Sequence, residues 1–361
     1  MRVSIEPRGE PSRWLRYGSP LIALGLTVVA ATVLFSALGR NPLIALEVFF
    51  LRPVASLYGL SELAVKAAPL ALCAIGLTIG FRGNVWNIGA EGQLTLGAIC
   101  GGGVALAAAG HEGPWLIPLM VVAAGLGGMA WGAIPAFLKT RFNANEILTS
   151  LMLTYVAIQL LGYLVHGPWR DPEGFNFPQS RMFDDQALLP VLIEGTRLHA
   201  GVLLALIAVV AGWVLLQRTF IGFQIKVVGQ APFAASYAGY SRNRVVWLSF
   251  LVSGGLAGLA GLGEVAGPIG QLTPTISPGY GFAAIIVAFL GRLHAVGVLL
   301  ASLLMALLYL GGESLQMNLN LPPAITGVFQ GMLLFFVLAA DVFIRYRIRF
   351  LASSARAPAD V

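Results

Sequence analysis

Ten stretches of this chain are apolar over lengths that suit a membrane better than water. Crossing the hydrocarbon core as a helix takes ~20 residues. Spans are predicted at about 19–39, 62–81, 88–109, 114–138, 147–166, 199–217, 245–266, 280–291, 295–315 and 323–344. The eighth is short and follows the Pro/Gly-rich GPIGQLTPTISPGYG, so it reads as a half-span. Only 11% of the residues are charged, against about 25% in a soluble domain, too few to cover a water-facing surface. The 44 glycines and 20 prolines suit polytopic helices, where Gly permits close contact and Pro kinks are tolerated. The alternating strand pattern of an outer-membrane barrel is missing. The predicted fold class is therefore all-α, a polytopic inner-membrane bundle of about ten transmembrane helices.

The basic residues set its orientation. With both termini in the cytoplasm, sixteen of the 22 Lys and Arg fall inside, among them Arg2, Arg8, Arg82, Lys139, Arg141, Lys226, Arg292 and Arg356. Outside fall Arg40, Arg52, Lys66, Arg170, Arg181 and Arg197, mixed with acidic residues. That bias is the positive-inside pattern, so the net charge of +6 is a topology signal and not a nucleic-acid surface. It divides the chain into a cytoplasmic tail (1–18), a permeation domain (19–344) and a second cytoplasmic tail (345–361). Within the domain lie an external loop (167–198) and a large cytoplasmic loop (218–244). The first span ends at the small-residue site Ala37-Leu38-Gly39, but its apolar run exceeds that of a signal core and reads as an uncleaved anchor. Cys73 and Cys100 sit within apolar runs and read as small packing residues.

One stretch breaks the apolar pattern. Asn84 to Gln93, NVWNIGAEGQ, places two Asn, a Glu and a Gln between spans. Unpaired polar groups in hydrocarbon each cost several kcal/mol, so it is either a surface turn or the lining of a protected path. The charge count favours a position at or near the cytoplasmic surface. The segment also has a partner: NIGAEGQLTLGA from Asn87 resembles SPGYGFAAIIVA from Ser277, with Gly89 opposite Gly279. Likewise NANEILT (143–149) resembles NLPPAIT (320–326). The span count puts the members of each pair on opposite faces. Inverted repeats with the pathway at their interface are a plan of transporters.

Chemical machinery is sparse. No GxxxxGK[ST] loop holds ATP, and the four histidines lack metal-ligand spacing. No acid/base cluster suggests an intramembrane enzyme, and neither a cofactor nor a catalytic residue is expected. The cytoplasmic loop from Arg218 to Arg244 is more informative. It holds a short helix candidate from Pro232 to Ala238 stopped by Gly239, with Pro suited to the first turn and Gly to the C-terminal cap. Such a helix can dock in a partner's groove.

Here the chain resembles a family. Ala234-Ala235-Ser236-Tyr237-Ala238-Gly239 is similar to the A-A-x-x-x-G core by which permeases of bacterial ABC importers grip their ATPases. The preceding Val228-Gly229-Gln230-Ala231-Pro232 resembles the variant in permeases for ribose-type sugars, branched-chain amino acids and nucleosides. NIGAEGQ and Asn145–Leu153 resemble the nucleoside branch, whose receptors are basic-membrane-protein lipoproteins. The resemblance runs from about Leu43 to Phe343. Gln230 stands where such loops often carry Glu, and no I-x-L-P follows Gly239.

The resemblance implies a non-enzymatic half-pore in the bacterial inner membrane. Its partners would be a separate ABC ATPase subunit, a second permease (first choice, a heterodimer), an external substrate-binding lipoprotein or periplasmic binding protein, and membrane lipid. The solute would be a nucleoside or a related small polar molecule such as a simple sugar. ATPase coupling falls to Gly229, Gln230, Pro232, Ala234, Ala235 and Gly239. Asn87, Gln93, Asn145, Thr149 and Gln330 could contact solute hydroxyls and base edges, and Trp86 or Phe282 could stack; interhelical hydrogen bonding is the competing reading for the polar members. Glu91 and Glu146 are better suited to capping helix starts, where the dipole favours carboxylates. The external loop, with Arg181, Asp184 and Asp185, suits either receptor docking or an ordered surface. The alternative from another class is an ion-gradient transporter with inverted repeats, for which Glu264 and Glu313 are the titratable candidates.

Overall fold

Lipid offers backbone N–H and C=O groups no partner, so each apolar run folds into the structure that satisfies them internally, a helix. The computed structural model describes residues 2–7, 13–111 and 113–351. Its helices are α1 (Arg13–Ala37), α2 (Pro42–Leu46), α3 (Leu57–Arg82), α4 (Ala90–Ala107), α5 (Leu116–Phe142), α6 (Glu146–His166), α7 (Gly201–Arg218), α8 (Phe220–Gln230), α9 (Pro232–Tyr237), α10 (Arg242–Glu264), α11 (Tyr280–Leu290), α12 (Ala295–Leu319) and α13 (Ala324–Arg345). A helix lies at each of the ten predicted segments. Among the described residues six are long and apolar enough to cross a membrane: α3, α5, α6, α7, α12 and α10 with its extension to Ile269. The apolar parts of α1, α11 and α13 are shorter, at Leu21–Ala37, Tyr280–Leu290 and Ala324–Ala340.

Two features depart from the expected outline. The segments read as separate tails meet: β1 (Arg2–Pro7) pairs antiparallel with β2 (Tyr346–Leu351), a small exception to the helical architecture. Arg8 and Arg356, counted toward orientation, lie outside the described residues. The 218–244 loop also holds more helix than its sequence suggests, because α8 precedes α9 and starts at a Thr219 cap that accepts from the Gly222 N–H.

Polar residues mark where helices stop and start. Asn143 and Asn320, the repeat mates, close α5 and α12 in the same way. Both are left-handed, at φ 53° and 50°, with N–H groups bonded to the carbonyls of Leu138 and Leu315 five residues back. Asparagine tolerates that conformation at low cost. Asn145 then caps α6 through the N–H groups of Ile147 and Leu148.

The bundle is built by exchange. α3 packs against α11 and α12, while α10 packs against α4 and α5. α3 is the most enclosed of the long helices, and α6, with 22% of its most apolar window buried against 83% for α3, lies at the periphery. Glycine makes the α10 crossings possible. A Cβ at Gly128 would strike the backbone of Gly254, one at Gly97 the backbone of Gly258, and one at Gly261 the backbone of Leu94. Gly263, Gly327 and Gly331 face no atom within 4 Å.

Candidate functional site

The stretch from Asn84 to Gln93 turns back into the bundle. Asn84 is exposed at φ 55°, and the Val85 N–H bonds the Gly80 carbonyl at 2.9 Å, reversing the chain after α3. Asn87 is buried. Its Nδ2 donates to Gln93 Oε1 at 2.9 Å and to Ser253 Oγ of α10 at 3.0 Å, and its Oδ1 accepts the Gly89 N–H at 2.9 Å. Ser253 also lies against Gly76, six residues before Arg82. At 1.5 Å per residue this places Asn87 about 9 Å inside the end of α3. The surface position expected for the whole stretch thus holds only for its first residues. A helical start rich in N–H groups is carried inward because Asn87 is satisfied by Gln93 and Ser253.

α4 and α11 meet at their N-termini. The Glu91 carboxylate, in the first turn of α4 and 5% exposed, accepts the Gly281 N–H of α11 at 2.6 Å. The Ser277 hydroxyl oxygen accepts the next turn's Tyr280 N–H at 2.8 Å. Gly281 lies so close to the Ala90–Glu91 backbone that no side chain fits. Glu91 therefore caps a helix start, as its sequence position suggests, but the helix belongs to the other half of the chain. In the repeat alignment Gly281 is the residue opposite Glu91, and the Ser277 Oγ accepts the Gly279 N–H at 3.1 Å as Asn87 does for Gly89.

The remaining path candidates are dispersed. Trp86 stacks on Phe289 and leans on Phe81, with ring centroids 5.9 and 5.1 Å away. Asn145 is engaged as a cap, and the Thr149 hydroxyl bonds the Asn145 carbonyl at 3.0 Å. Phe282 is 37% exposed on α11, and Gln330 is half-buried on α13. Among these candidates the pair joined side chain to side chain is Asn87 and Gln93. Glu146 pairs with Lys139 at 2.9 Å, tying the two helices on either side of the Asn143 turn.

Charged residues that the sequence reading did not group together line a cavity of about 340 Å³ at the opposite end of α3. Glu62 receives Arg197 in a two-pronged bond, Lys66 reaches Glu313 at 2.8 Å, and Glu264 and Tyr280 complete the wall. The Glu62 hydrogen bonds raise the Arg197 pKa. Arg197→Ala strands the buried Glu62 carboxylate. The expected loss is about 1–2 kcal/mol, less than for a fully buried pair because Arg197 is half-exposed. A detergent thermal melt that drops by a few degrees checks it. Nearby, the 167–198 loop is tied down by backbone bonds: Ser180 N–H to Leu272, Phe183 to Gly270 and Leu189 to Ala266, at 2.9, 2.8 and 2.8 Å. Asp184 is itself engaged, accepting the Gly110 N–H at 2.8 Å.

At the other face α8 and α9 form an elbow. Gly239, at φ 78°, follows α9, and the Tyr240 N–H bonds the Ala235 carbonyl at 2.9 Å. Pro232 opens the helix, and Ala235 is its buried contact. Ala234 and Gln230 are exposed. Phe233 and Tyr237 are 83% and 95% exposed, a large apolar display on so short a helix. The A-A-x-x-x-G pattern pointed to this helix but not to its two aromatics. Gly229 presses on the Arg82–Gly83 backbone, which connects the elbow to the start of the re-entrant stretch.

A helical membrane bundle with a buried head-to-head helix junction and an aromatic elbow offered outside it has the parts of a permease. The chain belongs to the branched-chain amino acid transport system / permease component family, whose model matches residues 59–338. It is 39% identical to the glucose ABC transporter permease protein TsgB13 of Haloferax volcanii, over 100% of this chain and 97% of that one. The same organism's putative glucose ABC transporter permease protein TsgC13 is 30% identical over 75% of this chain and 82% of its own. The guanosine ABC transporter permease protein NupP of Bacillus subtilis is 29% identical over 92% and 94%. The chain is a membrane permease component of an ABC transporter, and the ion-gradient alternative is set aside.

Proposed function

We propose that this chain is one half of the pore of an ATP-driven importer for neutral, polyhydroxylated solutes, nucleosides or simple sugars. The single observation behind its mechanism is the Glu91–Gly281 contact. Two residues at matching positions of a repeat touch only where the symmetry axis passes. Together with the exchanged packing of α3 and α10 and the matching Asn143 and Asn320 caps, this supports an inverted repeat of ten spans, five in each direction. Both termini are then cytoplasmic, an arrangement with which the β1–β2 pairing is consistent.

In this reading a separate ATPase subunit grips α9 through Phe233 and Tyr237, with Pro232, Ala234, Ala235 and Gly239 shaping the helix. Its closure moves α8, and Gly229 and Gln230 carry the motion to the Arg82–Gly83 turn. From there Asn84–Glu91 transmits it to the α4–α11 junction, about which the repeats rock. Asn87 and Gln93 hold the junction's wall. Trp86, Asn145, Thr149, Phe282 and Gln330 remain candidates for solute contact where the second permease completes the path. A heterodimer fits the two distinct glucose permeases of Haloferax volcanii, both similar to this chain. An external lipoprotein or periplasmic binding protein would deliver the solute over the 167–198 loop. The glucose and guanosine names of the relatives share a chemistry of hydroxyl-bearing rings without charge.

Gly239→Val tests the coupling. A β-branched residue at φ 78° is strained by about 1–2 kcal/mol, and no neighbouring atom compensates within 4 Å. ATP-driven uptake and ATPase co-purification are expected to fall several-fold with the permease still inserted; unchanged values of both remove the coupling assignment. For the solute, the complex with its genomic neighbours is reconstituted and offered labelled guanosine and labelled glucose. ATP-dependent uptake of neither, with the receptor present, refutes the substrate class.

A further inference from the structure

Two cavities of opposite character meet at Arg292. The first, of about 1000 Å³, is lined by Arg82, Lys226 and Arg292 with Asn84, Gln217 and Gln230, and among the described residues no carboxylate lines it. The second, of about 610 Å³, is an apolar groove between α1 and the α11–α12 turn, lined by Leu21, Leu24, Leu300 and Leu304, with Arg292 and His294 at one end. Arg82 is held at the same turn, because its Nε donates to the Leu293 carbonyl at 2.8 Å. The turn itself is unusual: Arg292 and Leu293 are consecutive non-glycine residues at φ 57° and 53°. Such strain persists only where its surroundings enforce it, here through the Arg292 and Leu293 N–H bonds to Phe289 and Ala288 at 3.0 and 2.9 Å.

A basic chamber that shares Arg292 with an apolar groove matches an amphipathic anion. We propose that an anionic phospholipid of the cytoplasmic leaflet seats here, its phosphate among Arg82, Lys226 and Arg292 and an acyl chain along Leu21, Leu24, Leu300 and Leu304. The placement rests on this end of α11 lying at the cytoplasmic face, where anionic lipids concentrate and basic pockets between helices take their headgroups. A free phosphate would use the chamber and leave the groove empty. A partner's acidic side chain would do the same. Lys226, Gly229 and Gln230 belong to α8, so a bound lipid would brace the elbow against the Arg82 turn.

Native mass spectrometry of the purified complex tests this, titrating phosphatidylglycerol and phosphatidylcholine of identical acyl chains, with inorganic phosphate as a third probe. The expected result is one tightly retained phosphatidylglycerol per copy of this chain, favoured over phosphatidylcholine by twentyfold or more at about fivefold per cation. Lys226→Ala, on the exposed side of α8, should lower that preference about fivefold, and Arg292→Gln at least as much. Leu300→Trp, which fills the groove, should reduce retention of both lipids. Equal retention of the two lipids, or a preference unchanged in both cation variants, overturns the proposal. So does phosphate displacing the lipid at millimolar concentration, which marks an anion site alone. A cysteine at position 300 that cross-links quantitatively to the second permease, with no lipid retained, marks a protein interface instead. Lipid retention is read without uptake, so its failure is separable from failure of the transport reading.

Discussion

Glu91→Ala is expected to abolish ATP-driven uptake while leaving the permease inserted and folded. The substitution removes the acceptor for the Gly281 N–H at the start of α11. Stranding a buried donor costs about 1–3 kcal/mol, more where the lost partner is charged. That is too little to dismantle a bundle held by the α3 and α10 crossings, but it acts at the junction about which the halves are proposed to move. Glu91→Gln keeps one acceptor oxygen and the side-chain length, and should retain a measurable fraction of transport. Uptake by proteoliposomes, normalised to reconstituted permease, is the measurement. Wild-type uptake in Glu91→Ala would mean that the α4–α11 contact is packing and not a pivot.

A second substitution should act on the fold itself. Gly258 lies where α10 crosses α4 and α5: a Cβ there would strike the Ala124 carbonyl, and a Cβ at Gly97 would strike Gly258 in turn. Overpacking a core costs about 1–3 kcal/mol when side chains can shift, and more when the obstacle is backbone. Gly258→Leu is expected to eliminate the folded permease, seen as loss of the monodisperse peak in detergent size exclusion. Gly263→Leu supplies the control. It lies on the same helix with no atom within 4 Å, and should express and elute as the parent does. Comparable losses in both would show that the helix tolerates no added bulk anywhere, leaving the crossing no special role.

Much of this was legible along the chain, for local reasons. Pro232 and Gly239 delimit α9 because one presets a helical φ and the other accepts a left-handed one. Asn143 and Asn320 end long helices by the same backbone preference, so their similarity in sequence became similarity in structure. Less legible was α8, whose signal is a single Thr219 cap ahead of a Gly-containing run. Phe233 and Tyr237 were within the motif, but a pattern of small residues does not say which side chains it displays. The cavity between Glu62, Lys66, Arg197 and Glu313 joins residues up to 251 positions apart in number, and nothing in their local surroundings marks them as neighbours.

The apolar runs alone determined that this chain is a helical membrane protein, since no other fold satisfies so much backbone in lipid without closing a barrel. Caps and turn residues determined where its helices begin and end. Tertiary structure decided what Asn84–Gln93 is. In sequence it is polar residues beside Arg82, which reads as a surface turn. In the fold Asn87 finds Gln93 and Ser253, and Glu91 finds a glycine 190 residues away, so the stretch goes inward. The reason is that a polar group's position in a membrane protein depends on its partners, and partners distant in the chain are supplied only by packing.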